Sequence, residues 1–294
     1  MSLRYAYYPG CSLESTGKPY NESIRATFKA LEVELVEIDD WNCCGATMYM
    51  SSKKIVGYAL SARNLAIAQK EGLDVCAPCS SCYTILSKAN RQIEHDPDTK
   101  EKINDALSAA NLSYNGQTKV RHPLDILVND IGIDAIVKKS KYRLTGMKVA
   151  PYYGCQIVRP HGNFDDVDDP QTMDKLLAAL GAEVTYYPPK VRCCGGMLMM
   201  TDENIALKLC HELIEAAEVN GANVIATACP LCEMNLEAYQ PQINKGFNTQ
   251  FNMPILYFSQ LLGMALGIAP VELGIERMIV PAPKVTLTAK AEAL

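Results

Sequence analysis

Short apolar runs of strand length alternate along the chain with longer stretches of helical periodicity. Residues 3–8, 33–38 and 73–76 read as strands, and residues 20–31 and 52–70 as helices between them. In the second of these helices Ile55, Ala59, Ala62 and Ala66 share one face, and Gly72 supplies the C-terminal stop. The series then returns, with strands at 148–153, 183–187 and 223–227 and helices at 171–180 and 202–220, stopped by Gly181 and Gly221. Such alternation predicts small α/β units with mostly parallel sheets. In those sheets functional loops lie beyond the carboxyl ends of the strands.

The loops after these strands carry the cysteines. Cys11, Cys43, Cys44, Cys79 and Cys82 form one set, and Cys155, Cys193, Cys194, Cys229 and Cys232 a second. The last four of each set are related by a constant offset of 150, while the opening pair is offset by 144 (155 − 11), so the chain reads as two copies of a five-cysteine unit. The repeat predicts a first domain over 1–145, with an insertion at about 90–118, and a second over 146–294. The insertion is expected to hold a helix near 99–110 and a turn at Asn115-Gly116. Residues 138–148 read as a basic solvated linker, and 280–294 as a tail lying on a partner. The stretch from His122-Pro123-Leu124 to Gly132 pairs by spacing with Met253-Pro254-Ile255 to Gly263.

Composition narrows the class. A 294-residue chain with 48% hydrophobic and 21% charged residues is an ordinary globular protein of about two domains. A net charge of −5 argues against nucleic-acid or anionic-membrane binding. No secretory leader is visible, and the longest apolar run, 258–269, is too short to span a bilayer. The expected location is the cytoplasm. In a reducing compartment, patterned cysteines in a large chain point to metal or redox ligands rather than disulfides.

Five cysteines per set is one more than a structural zinc or an ordinary [4Fe–4S] cube needs. Adjacent cysteines send side chains in different directions, which suits binding across a cluster better than chelating one ion. Zinc stays open as an alternative, because Cys-x-x-Cys is shared with zinc sites, although those usually use two such pairs. Cys79 and Cys229 fall at predicted helix N-termini, where free N–H groups and the dipole favour thiolate.

The ten-cysteine pattern resembles the duplicated cysteine-rich CCG-domain family, and within it the B subunits of heterodisulfide reductases of methanogenic archaea. The resemblance implies two pseudo-symmetric Rossmann-like CCG domains and two noncubane [4Fe–4S] clusters, one on each set, with no flavin on this chain. It implies reduction of the mixed disulfide of coenzymes M and B to two thiols. Electrons would come from the ferredoxin-like C subunit and the flavin-containing A subunit of such a complex, with a hydrogenase or formate dehydrogenase upstream. A rival within the family is an iron–sulfur electron-transfer subunit of a glycolate, lactate or glycerol-3-phosphate dehydrogenase. A rival of another class is a zinc-stabilised scaffold.

Both coenzymes are anionic, so cations near the cysteines are candidate substrate ligands. Arg159 and His161 follow Cys155, and Lys190 and Arg192 precede Cys193, whereas Asp39 and Asp40 lead into Cys43. Cys76 and Cys210 lack cysteine counterparts and are expected to pack in the core. Core packing is also expected of Tyr7, Tyr8, Tyr152 and Tyr153, and Met197, Met199 and Met200 are expected to form an apolar wall.

Overall fold

In the computed structural model, which describes residues 3–46, 49–160, 162–283 and 288–289, two four-stranded parallel sheets repeat one topology. The first comprises β1 (Arg4–Tyr7), β2 (Glu34–Glu37), β3 (Val75–Cys76) and β4 (Val120–Arg121), in the order β2-β1-β3-β4. A short β5 (Tyr142–Arg143) follows, and then the second sheet: β6 (Lys148–Tyr152), β7 (Glu183–Val184), β8 (Val224–Thr227) and β9 (Ile255–Tyr257), in the order β7-β6-β8-β9. The registers correspond, with Ala6 opposite Val75 in one sheet and Ala150 opposite Ile225 in the other. The mixed α/β class expected from the alternation is the observed one.

The central strands are buried almost throughout, as parallel strands covered by helices must be. One continuous core runs from the first sheet through the junction to Leu256, Phe258 and Leu262, and a smaller core lies beneath the helix Glu203–Val219. At the junction the helices Lys18–Ala30 and Phe258–Leu266 meet. Tyr20 stacks on Tyr257 with ring centroids 4.3 Å apart, and the Ser23 and Ser259 hydroxyls are 2.7 Å apart.

Two local readings change. Arg121 pairs with Cys76 and Leu256 with Ala226, so the fourth strands are offset by 135 (256 − 121). The tails therefore align four residues away from the proline spacing: Gly132 matches Gly267, and both glycines close their helices with positive φ, 86° and 77°. Pro254 precedes its strand, and Gly263 lies inside a helix. The basic stretch is not a free connector, because Tyr142 and Arg143 pair antiparallel with β10 (Thr288–Ala289) from the tail of the same chain. The helix expected in the insertion is present as Pro97–Ser108.

Candidate metal centre

Each cysteine-bearing loop leaves the carboxyl end of a strand, so the repeated topology brings each set to one sheet edge. Cys11 follows β1 in the short turn Gly10–Leu13, and Cys43 and Cys44 follow β2. Cys79 is the N-cap of the helix Ser80–His95 and Cys229 that of Pro230–Glu237, with Cys82 and Cys232 in their first turns. The two edges face one another. Thiol contacts run from Cys43 through Cys44, Cys82 and Cys79 to Cys229, then through Cys232 and Cys194 to Cys193 and Cys155. The Cys194–Cys232 sulfur separation is 3.4 Å. Cys11 and Cys193 are exposed, Cys43 and Cys155 half-buried, and Cys79 and Cys229 buried at the middle of the row.

Crowded thiols ionise unequally. Hydrogen bonds from Cys155 and Cys194 hold Cys193 down to about 2, and donation by Cys43 and Cys82 holds Cys44 down to about 3. Cys155 is pushed up by its own donation to Cys193 and by burial. Such a row favours binding positively charged iron, which relieves the competition for protons.

Glycine geometry keeps space at the sulfurs. Gly10 and Gly154 hold φ near +70°, and a Cβ on either would stand 3.1 Å from the sulfur of Cys82 or Cys232. Gly45 and Gly195, after the adjacent cysteines, hold φ of +88° and +87° and press on the following helix at Gly57 and Ala206. No L side chain meets both demands without strain.

The supporting hydrogen bonds also repeat. Tyr8 donates its hydroxyl to the Asn42 carbonyl and Tyr152 to the Arg192 carbonyl, each at 2.8 Å, fixing the residue before each cysteine pair. Ser61 donates to the Cys44 carbonyl at 2.6 Å, and Cys210 to the Cys194 carbonyl at 3.2 Å. Cys210 thus packs in the core as expected and takes the part that a serine plays in the other copy, while Cys76 simply packs. Between the copies, Ser80 and Tyr20 donate to the Ala228 carbonyl at 3.1 and 3.3 Å. His122 bonds the Pro78 carbonyl at 2.9 Å through Nε2 and accepts from the Leu124 N–H through Nδ1, so it is neutral; burial lowers its pKa to about 4.

The motif reading did not mark His122, or the acid beside Cys232. Glu233 is buried, accepts from the Tyr257 hydroxyl at 3.1 Å, and is pushed up to about 9 by burial and by its neighbour Glu237. An acid directly after a Cys-x-x-Cys, in the first turn of a buried helix, was the available signal.

The candidate cations separate. Lys190 is buried and satisfied: its ammonium reaches Asp169 at 2.8 Å, Asp174 at 3.1 Å and the Pro170 carbonyl at 2.9 Å. Burial opposes its charge, but the Asp169 and Asp174 contacts outweigh that and raise its pKa. Arg159 is half-exposed and bonded to Asp168 at 2.8 Å, and Arg192 is exposed with Glu212 at 3.7 Å. His161 lies outside the described residues. Of the methionines, Met199 is buried, while Met197 and Met200 stand 65% and 75% exposed beside Cys193 rather than in a wall. The four tyrosines are buried as expected.

Iron–sulfur chemistry fits these residues. Each set offers five sulfur donors and a backbone kept bare where a Cβ would intrude.

The fold and its paired cysteine sets define a class: a duplicated α/β protein with its cysteines at two facing sheet edges. The family model described as a cysteine-rich domain, CCG, matches twice, over residues 5–87 and 149–237, and the chain belongs to that family. It is 33% identical, over 97% of its length and 99% of the relative's, to the 8-methylmenaquinol:fumarate reductase membrane anchor subunit of Wolinella succinogenes. It is 32% identical to a protein of Archaeoglobus profundus described as like the heterodisulfide reductase B subunit, over 91% of this chain and 92% of that one. It is 30% identical, over 93% of both chains, to the B subunit of the ferredoxin/F420H2-dependent CoB-CoM heterodisulfide reductase of Methanosarcina acetivorans. A hypothetical protein from Helicobacter pylori shares the fold, with a TM-score of 0.77 at 14% identity over 95% of this chain and 52% of that one. Among the described residues no helix is long and apolar enough to cross a membrane.

Proposed function

We propose that the chain is the iron–sulfur, disulfide-reducing subunit of a multisubunit oxidoreductase, acting on the mixed disulfide of coenzymes M and B. The ten cysteines would hold two noncubane [4Fe–4S] clusters: Cys11, Cys43, Cys44, Cys79 and Cys82 one, Cys155, Cys193, Cys194, Cys229 and Cys232 the other. The observation that carries the reading is the contact of Cys79 with Cys229, which joins the two sets into one site. Disulfide reduction consumes two electrons and two protons and yields two thiols, so two adjacent one-electron centres match its stoichiometry. Bound clusters supply single electrons at potentials tuned by charge, hydrogen bonding and exposure.

The protein's own residues prepare that site. Gly10 and Gly154 leave room, Tyr8 and Tyr152 fix the cysteine pairs, and Ser80 and Tyr20 tie the second Cys-x-x-Cys to the first copy. Cys11 and Cys193 are the exposed members of the two sets, and a small molecule would reach the sulfurs there. Arg159, His161, Lys190 and Arg192 are the proposed anion-binding group. Arg192, exposed and 3.7 Å from Glu212, suits direct contact; Arg159 would have to exchange its bond to Asp168 for the substrate, and Lys190 ties down Asp169, Pro170 and Asp174. Electrons would arrive from ferredoxin-like and flavin-containing subunits, with a hydrogenase or formate dehydrogenase further upstream.

A second reading, electron transfer from a quinol, is favoured by the 33% identity to the fumarate reductase subunit. Anaerobic purification with iron, sulfide and zinc analysis tests the common ground: about eight irons per chain are expected, and stoichiometric zinc in their place rejects both readings. Mixing the oxidised protein with reduced menaquinone analogue, or the reduced protein with heterodisulfide, then separates them. Quinol oxidation without thiol release selects the second.

A further inference from the structure

Where the two copies meet, one imidazole serves both inner cysteine loops. We propose that His122 is a positioning residue for the joined site: it holds the carbonyls that precede Cys79 and Cys229, and so sets how closely the two metal centres approach. This rests on the reading of the two cysteine sets as holders of paired one-electron centres.

His122 is fully buried just past β4, as the N-cap of the short helix Pro123–Asp125. Its Nδ1 accepts from the Leu124 N–H at 3.1 Å, which leaves Nε2 to carry the ring's N–H and donate it to the Pro78 carbonyl at 2.9 Å. The ring also meets the Ala228 carbonyl. Pro78 and Ala228 are equivalent residues of the two copies, and a planar peptide joins each to an inner cysteine. Holding the oxygen of that plane fixes the direction in which the cysteine leaves it. Groups that brace a ligand residue in this way orient the ligand. The two cysteines braced here, Cys79 and Cys229, are the pair whose thiols touch across the copies.

The ring is itself clamped from both sides. Tyr83 of the first copy meets it edge on at 5.9 Å, while Phe164 and Phe258 of the second lie 6.3 and 6.1 Å away, the former parallel to it. The arrangement is not reciprocal. By the fourth-strand register the counterpart of His122 is Tyr257, whose hydroxyl goes to Glu233 instead. Ser80, which donates to the Ala228 carbonyl at 3.1 Å, is matched in the second copy by Pro230, which has nothing to donate. The donors that join the inner loops, His122, Ser80 and Tyr20, thus all come from the first copy. The nearer two charged centres stand, the more an electron on one opposes an electron on the other, so this spacing acts on the gap between their potentials.

The test is anaerobic EPR with a redox titration of the full chain carrying its iron, beside His122→Phe, His122→Gln and Ser80→Ala. Phenylalanine keeps a ring in the clamp and removes the N–H; glutamine restores an N–H at the reach of Nε2. Iron is counted first in each. The magnetic interaction between the two reduced centres is expected to fall at least twofold in His122→Phe, with a narrower gap between the two midpoint potentials. Ser80→Ala should move both in the same direction by less, and His122→Gln should recover them. A histidine that only stabilised the junction would lower the melting midpoint and leave both readouts alone. Full iron with an unchanged interaction and gap in His122→Phe overturns the proposal, as does iron without interaction in the unmutated chain. If His122→Phe loses its iron, unchanged readouts in Ser80→Ala overturn it. Zinc in place of iron overturns the underlying reading as well.

Discussion

Gly195 gives the sharpest test of how the fold sets the second cysteine pair. Its φ is +87°, and a Cβ there would stand 2.9 Å from the Cβ and 3.0 Å from the Cα of Ala206, in a helix that cannot swing aside. Gly195→Ala therefore combines two costs. The left-handed backbone costs about 1–2 kcal/mol, partly offset by the about 0.4–1 kcal/mol gained when alanine restricts the unfolded chain. The overlap adds about 1–3 kcal/mol. Gly221→Ala supplies the control, since its φ is +77° with no atom within 4 Å, and so it carries the backbone cost alone. For a chain this large, 1 kcal/mol moves the midpoint by about 2 °C. In anaerobic melts at one scan rate, Gly221→Ala is expected to fall by about 2 °C and Gly195→Ala by about 4–8 °C, with loss of iron from the second set only. Equal shifts would refute the claim that contact with Ala206 seats the pair.

Three further outcomes follow from the same geometry. Tyr152→Phe is expected to cost about 1–2 kcal/mol in denaturant melts, and Tyr8→Phe less, because the Asn42 carbonyl keeps a second donor in Asn64 at 3.0 Å; the reverse order would count against the hydrogen-bond account. His122 has a folded pKa near 4, below its usual 6.5, so the unfolded chain takes up its proton first as pH falls. Its contribution is thus complete above pH ~6.5 and is lost between there and pH ~4, by about 3 kcal/mol, and His122→Gln should flatten that part of the stability–pH curve. Lys190→Met takes the cation from the Asp174 carboxylate, which keeps only the Tyr153 hydroxyl as a side-chain donor at 2.6 Å, and is expected to cost about 3 kcal/mol, whereas Arg192→Ala should leave stability unchanged and weaken apparent affinity for the anionic substrate; stability data with KM and kcat separate the two roles.

The cysteine arithmetic was legible because the same loops are repeated between the same strands and helices in both copies. Offsets of 150 held for the pairs and the Cys-x-x-Cys motifs, and the two strands delivering them in each copy followed, as did the strand before the opening cysteine at its offset of 144. The tails carried no such anchors. A slip of four residues is about one helical turn and preserves the apolar face, so Pro123–Pro254 looked as good in sequence as the true register through Gly132 and Gly267. The pairing of Tyr142 and Arg143 with residues near the chain end was invisible for another reason: two-residue strands have no period, and their partner is 145 residues away. Charge was legible as identity but not as state. Lys190 looks like a free cation in sequence, and only the fold shows the two carboxylates around it.

The central claim, that the joined cysteine sets reduce a disulfide by two electrons, is tested most directly by a single-turnover experiment. The anaerobically purified, fully reduced chain is mixed with one equivalent of the coenzyme M–coenzyme B heterodisulfide, and free thiol is titrated after rapid quenching. The account predicts two new thiols per chain, with loss of both in a Cys229→Ser variant that keeps iron on the first set. No thiol release from a fully iron-loaded chain would contradict it.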